Sequence, residues 1–114
     1  MSDCLFCKFV SGEIKPDIVH EDEHVLAFRD INPQAPTHIL VIPKRHIPTL
    51  NDLQDGDGEL VGRLYLAAQR IAEAEGIAEA GYRTLVNCNE EAGQTVFHIH
   101  LHLLGGRPMG WPPG

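Results

Sequence analysis

Three histidines stand at alternate positions of one apolar run, Phe97-His98-Ile99-His100-Leu101-His102-Leu103-Leu104. On a β-strand, whose side chains alternate faces, the three imidazoles leave one face while Ile99, Leu101 and Leu103 leave the other. A helix would spread the same residues around its girth, so the spacing predicts a strand over 97–104. The β-branched and aromatic neighbours agree.

The rest of the chain supplies partners for that strand. Residues 4–11 read as a short helix or turn, and Asp17 to Glu21 and Val25 to Arg29 as a hairpin. A turn-rich loop, Asp30 to Pro36, feeds a continuously apolar strand, His38 to Ile42, of the kind buried at the centre of a sheet. From Asp57 to Glu75 the period changes, with Leu60, Leu64, Ala67, Ala68 and Ile71 on one face of an amphipathic helix that Gly76 terminates. Tyr82 to Asn87 reads as a strand, Asn89 to Gln94 as a loop, and the Gly- and Pro-rich tail at 105–114 as irregular. The sum is α+β: a five-stranded antiparallel sheet, one long helix across a face and a short N-terminal helix, in one domain spanning 1–114.

A net charge of −7 argues against polymeric nucleic acid as a partner, since that needs a phosphate-neutralising basic surface. A small nucleotide gripped by backbone amides stays open. With neither a signal-peptide pattern nor an apolar stretch approaching a membrane span, the expectation is a cytoplasmic protein with no membrane partner. Three cysteines, an odd number, suit a reducing compartment, where the close pair Cys4 and Cys7 is better explained by a metal than by a disulfide.

Same-face residues on a strand lie roughly 6.6 Å apart, so one tetrahedral ion does not comfortably hold all three histidines. A better use of the row is one imidazole as nucleophile, with neighbours that fix its tautomer and move protons. Phosphorus suits such a nucleophile, and Gly93-Gln94-Thr95 just before the row offers backbone amides and a hydroxyl to phosphate oxygens. His38, opening the central strand, is either part of this chemistry or a strand-end histidine bonded to a carbonyl. Asp30 is either a ribose acceptor or a turn cap.

The run from His98 to Leu104 resembles the histidine-triad motif. The likeness continues through Phe28-Arg-Asp-Ile-Asn-Pro-Gln-Ala-Pro-Thr-His38, Val41-Ile-Pro-Lys, Gly81-Tyr-Arg83, Gly93-Gln-Thr-Val-Phe-His98 and Gly105-Gly-Arg, so it covers essentially the whole chain. Within the histidine-triad superfamily the chain is most similar to the nucleotide-binding Hint branch. The Trp-Pro-Pro-Gly ending speaks against the Fhit-like branch, and a third histidine against the nucleotidyltransferases, which usually have glutamine there.

The resemblance implies a homodimeric purine nucleoside phosphoramidate hydrolase that needs no cofactor for catalysis. It implies that His100 attacks phosphorus and carries a nucleotidyl group, that His102 steadies the phosphate, and that His38 orients His100. By the same resemblance Asp30 binds ribose, Phe6, Phe9, Phe28 and Ile31 line a purine pocket, and Asn87, Gly93, Gln94, Thr95 and Val96 lie on the phosphate side. Thr95 stands where serine is commonest, keeping the hydroxyl and adding a methyl. Trp111 matches a tail residue that approaches the partner subunit's site in relatives. Relatives that begin Cys-x-x-Cys often bind structural zinc, which places a Cys₂His₂ set at Cys4, Cys7, His46 and His98. Two rival readings remain: a nucleotide-binding adaptor with little catalysis, and a zinc enzyme using triad ligands.

Overall fold

The computed structural model describes residues 3–114. Five strands, β1 (Ile18–Glu21), β2 (Val25–Arg29), β3 (Thr37–Pro43), β4 (Tyr82–Leu85) and β5 (Leu101–Gly105), form one antiparallel sheet in the order β1-β2-β3-β5-β4. The helices are α1 (Leu5–Ser11) and α2 (Gly58–Ala74). This is the expected α+β architecture.

The two faces of the sheet are covered differently. Val25, Ala27, Ile39, Val41, Leu101 and Leu103 pack on one face against Leu64, Ala67, Ala68, Ile71 and Ala72 of α2. The small alanines bring the helix close, and burial of these apolar side chains supplies the main stabilisation. Leu26, Phe28, Leu40 and Ile42 turn to the other face, where Phe6 and Phe9 of the much shorter α1 meet them.

The end of α2 follows from Gly76, whose φ of 76° is left-handed. The Ile77 amide bonds Ala72 O at 3.0 Å and the Gly76 amide bonds Glu73 O at 3.1 Å, the paired closure that glycine allows past a helix end. In the β1–β2 turn, Asp22 Oδ1 accepts the amides of His24 and Val25 at 2.8 and 2.9 Å.

The histidine strand is shorter than its sequence pattern, since pairing begins at Leu101 and not at Phe97. With Leu101 opposite Val41, continuing the ladder would bring residue 99 opposite Pro43, which has no amide hydrogen. The Ile99 amide instead bonds Ile47 O at 2.8 Å. The alternation of faces survives: Ile99 is buried on the α2 side, while His98 and His100 meet the ring of Phe6. β4 likewise stops at Leu85, two residues before Asn87.

Beyond β5 the tail forms no helix or strand. Arg107 anchors it by donating to Gln34 O at 3.0 and 3.2 Å, and Arg83 donates to Gly110 O at 3.0 Å. Among the described residues no helix is long and apolar enough to cross a membrane.

Candidate active site

Strand register builds the floor of the site. Phe28 pairs with Leu40, and Leu40 with His102, so these three side chains form a row on the face opposite α2. His38, two residues before Leu40, stands diagonally from His102 on that face. α1 roofs the row: Phe6 lies edge-on to Phe28 and His100 at 5.3 and 5.1 Å between ring centres, and Phe9 edge-on to Phe28 at 4.9 Å. Between roof and floor is a cavity of about 560 Å³, within the range of small-molecule sites.

Phe6, Phe9, Phe28, Asp30, Ile31, Thr95, Val96, His100 and His102 line this cavity. Leu5, Ile14, Lys15, Pro16, Arg29 and Leu40 join them, none of them assigned to the site from the sequence. Leu40 was discoverable, because it shares the strand face of His38. The Arg29 guanidinium is engaged elsewhere, held by Glu75 through two bonds of 3.0 and 2.8 Å. Asn87, Gly93, Gln94, His38 and Trp111 do not line the cavity. Trp111 is 81% exposed, with the Arg83 guanidinium 6.0 Å from its ring centre.

Hydrogen bonds set the two central histidines in complementary tautomers. His100 Nδ1 lies 2.8 Å from the carbonyl oxygen of His98, so Nδ1 carries the proton and Nε2 a lone pair. The Gln34 amide donates to His38 Nδ1 at 3.0 Å, which leaves the proton of a neutral His38 on Nε2. That Nε2–H donates to His102 Nδ1 at 2.9 Å, and the proton of His102 therefore sits on its own Nε2. This nitrogen is buried without a hydrogen-bond partner among the described residues. Burial keeps all three rings neutral: it pushes His102 down to about 4 and holds His38 and His100 below the usual imidazole range.

Two expectations are corrected. His38 meets His102, not His100, because the register puts it diagonal to residue 102 and the His98 carbonyl already occupies His100 Nδ1. The amides of Gly93 and Gln94 are not available to phosphate, since they close the loop onto Glu90 O and Asn89 O at 3.0 and 3.1 Å. The Gln94 side chain is buried and braces the same loop, accepting from the Asn89 amide and donating to Pro48 O and Val96 O. The Thr95 and Val96 amides, at the cavity wall, have no backbone acceptor among the described residues.

Asp30 is a turn cap that also lines the cavity. One oxygen accepts the Asn32 amide at 2.8 Å and the other faces His38 Nε2 at 3.5 Å. Asp30, His38 and His102 thus converge closely enough to suggest a cation site. The Gln34 amide argues for a proton chain instead, because it puts hydrogen on the His38 nitrogen that would have to bind the metal.

A second cluster lies behind α1. Cys4 Sγ and Cys7 Sγ are 3.4 and 3.6 Å from His98 Nδ1, His46 Nδ1 is 3.3 Å from Cys7 Sγ, and the two Nδ1 atoms are 3.3 Å apart. Tetrahedral zinc, with bonds of about 2.0–2.1 Å to nitrogen and 2.3 Å to sulfur, sets its ligand atoms about 3.3–3.8 Å apart. His98 Nε2 donates to Pro43 O at 2.8 Å, which turns the Nδ1 lone pair toward the other three. These four residues fit a zinc ion.

Fold and site together define a class: small α+β proteins that set neutral histidines of fixed tautomer against a small-molecule cavity. The model of the HIT domain matches residues 11–109, and the chain belongs to the HIT family. It is 55% identical over 108 residues to the purine nucleoside phosphoramidase of Escherichia coli K12, covering 95% of this chain and 91% of that protein. An uncharacterized HIT-like protein of Synechococcus elongatus is 52% identical over 112 residues, 98% of this chain and 97% of that one. A HIT family hydrolase of Legionella pneumophila superposes with a TM-score of 0.97 at 58% identity, over 98% of this chain and all of that chain. A histidine triad protein of Clostridium difficile superposes at 0.93 with 42% identity, over 96% of each.

Proposed function

We propose that this protein hydrolyses purine nucleoside 5′-phosphoramidates to the nucleoside monophosphate and an amine, with His100 as nucleophile. The observation that carries the reading is the pair of complementary tautomers: a lone pair on His100 Nε2 and a donor on His102 Nε2, on two rings 5.0 Å apart that both line the cavity. An adaptor needs neither, and this favours catalysis over the binding-only reading. The similarity to a purine nucleoside phosphoramidase supports the substrate class.

In the first step His100 Nε2 attacks phosphorus, a P–N bond to His100 forms, and the P–N bond to the amine breaks. The amine needs a proton to leave. Phosphate charge beside His102 favours its protonated form, which then serves as the acid. Water attacks the nucleotidyl-His100 in the second step and gives its proton to His102, which lost one in the first; the P–N bond to His100 breaks and the monophosphate departs. Two inversions give net retention at phosphorus. Phe6, Phe9, Phe28 and Ile31 hold the base, the Asp30 carboxylate accepts from ribose, and the Thr95 and Val96 amides with the Thr95 hydroxyl meet phosphate oxygens.

The zinc reading is the second part of the proposal. Cys4, Cys7, His46 and His98 hold one zinc ion, which supplies cross-linking and no Lewis acid at the reaction centre. A homodimer fits the exposed edge of β4 and the exposed Tyr65 and Leu66 of α2. The zinc-thiolate set and the cysteine usage fit a reducing, cytoplasmic setting. The direct test is turnover of adenosine 5′-phosphoramidate: His100→Ala is expected to lose at least about a thousandfold in kcat/KM. Undiminished hydrolysis would remove His100 from the mechanism.

A further inference from the structure

Resting on that reading, we infer that Cys4, Cys7, His46 and His98 are positioning residues for the reaction: closing them around a metal ion sets both the nucleophile and the roof of the base pocket. His98 belongs to both sites. Its ring Nδ1 faces the two thiols and His46, while its carbonyl oxygen, 2.8 Å from His100 Nδ1, fixes the tautomer of the attacking ring. A ring held at both nitrogens, by the quartet and by Pro43 O, leaves the His98 backbone little freedom to tilt that carbonyl.

The second route runs through α1. Seven residues make too short a helix to persist alone. Among the described residues no backbone hydrogen bond joins it to the sheet. Side chains hold it there, and Cys4 and Cys7 flank Phe6, whose ring touches Phe28 and His100. The two sulfurs and two imidazole nitrogens lie within 4.8 Å of one another, so one cation can bind all four, displacing the thiol protons and tying α1 to His98 and His46. With that cation α1 is pinned at its start and the pocket is preformed; without it the roof and the His98 carbonyl both loosen.

The probes are zinc and cobalt(II), added to chelator-treated full-length protein. Cobalt is expected to give the absorption bands of a tetrahedral site with two thiolates. Affinity for AMP by calorimetry, kcat and KM are then compared between loaded and stripped protein, and in His46→Ala and His46→Cys, since His46 lies outside the nucleotide cavity. Stripped protein and His46→Ala are expected to stay folded by circular dichroism, to bind AMP about tenfold more weakly and to lose about tenfold in kcat. His46→Cys, which restores a fourth ligand, is expected to return both to within about twofold when loaded. Three results overturn the inference: no metal uptake, metal uptake with unchanged AMP affinity and kcat, or unfolding of the stripped protein, which would leave the ion a purely stabilising function. Metal-dependent AMP affinity without any phosphoramidate turnover would keep the coupling and overturn the activity.

Discussion

His98, His100 and His102 share one spacing, yet each is held by a different partner: Pro43 O, the His98 carbonyl, and His38. Their common face was legible because side-chain period is a property of sequence. Their tautomers were not, because these depend on a carbonyl two residues away and on an amide at Gln34, reached only through tertiary pairing. The same gap explains the misplaced partner of His38. Replacing His38 with Ala removes the donor that fixes His102, leaves His100 Nδ1 untouched, and takes away no wall of the cavity. Steady-state kinetics are expected to show kcat reduced about ten- to a hundredfold with KM changed far less. A KM effect without a kcat effect would return His38 to a packing function.

At the scale of elements, α2 was predicted to within a residue at each end, since five apolar positions and Gly76 define it. The loop expected at Asn89–Gln94 is there, but its internal bonding was not legible, because it rests on one buried amide side chain. Gln94 accepts from Asn89 and donates to Pro48 O and Val96 O at 2.8–3.1 Å, and an alanine there would strand buried backbone groups. Such groups cost about 1–3 kcal/mol each when left unpaired. Gln94→Ala is expected to lower stability by about 2–3 kcal/mol in denaturant melts and to raise KM, since Thr95 and Val96 stand on this loop at the cavity wall. Unchanged stability would mean that solvent or a rearranged loop replaces those bonds.

For the whole molecule, one face of the sheet is spent on stability and the other on the site. The α2 face is closed by a long amphipathic helix, while the shorter α1 leaves room for a cavity over neutral histidines. That neutrality has a pH signature. In the unfolded chain these imidazoles titrate near 6.5, whereas folded His102 takes up its proton only near 4, with His38 and His100 also shifted down. Across that window the unfolded state binds more protons, so stability falls as pH falls from about 6.5 toward 4. His102 alone contributes on the order of 2 kcal/mol, a figure reduced for the solvent that reaches the cavity. The paired carboxylates of Asp22, Asp57 and Glu75, held below their usual range, lose their stabilisation at lower pH still. Urea midpoints measured from about pH 7 down to 4.5 are expected to decline steadily, and a flat profile would contradict burial of neutral rings.

Nucleophilic attack by His100 is the claim on which the functional reading stands, and the covalent state is its direct witness. Turnover of adenosine 5′-phosphoramidate would be quenched within milliseconds in base, where an N-linked nucleotidyl group survives, and the protein digested at alkaline pH and mapped by mass spectrometry. The account predicts a nucleotidyl group on the peptide carrying His100, localised to that ring and absent from His100→Ala. An adduct on His102 or His98, or rapid turnover with no adduct on any histidine, would contradict it.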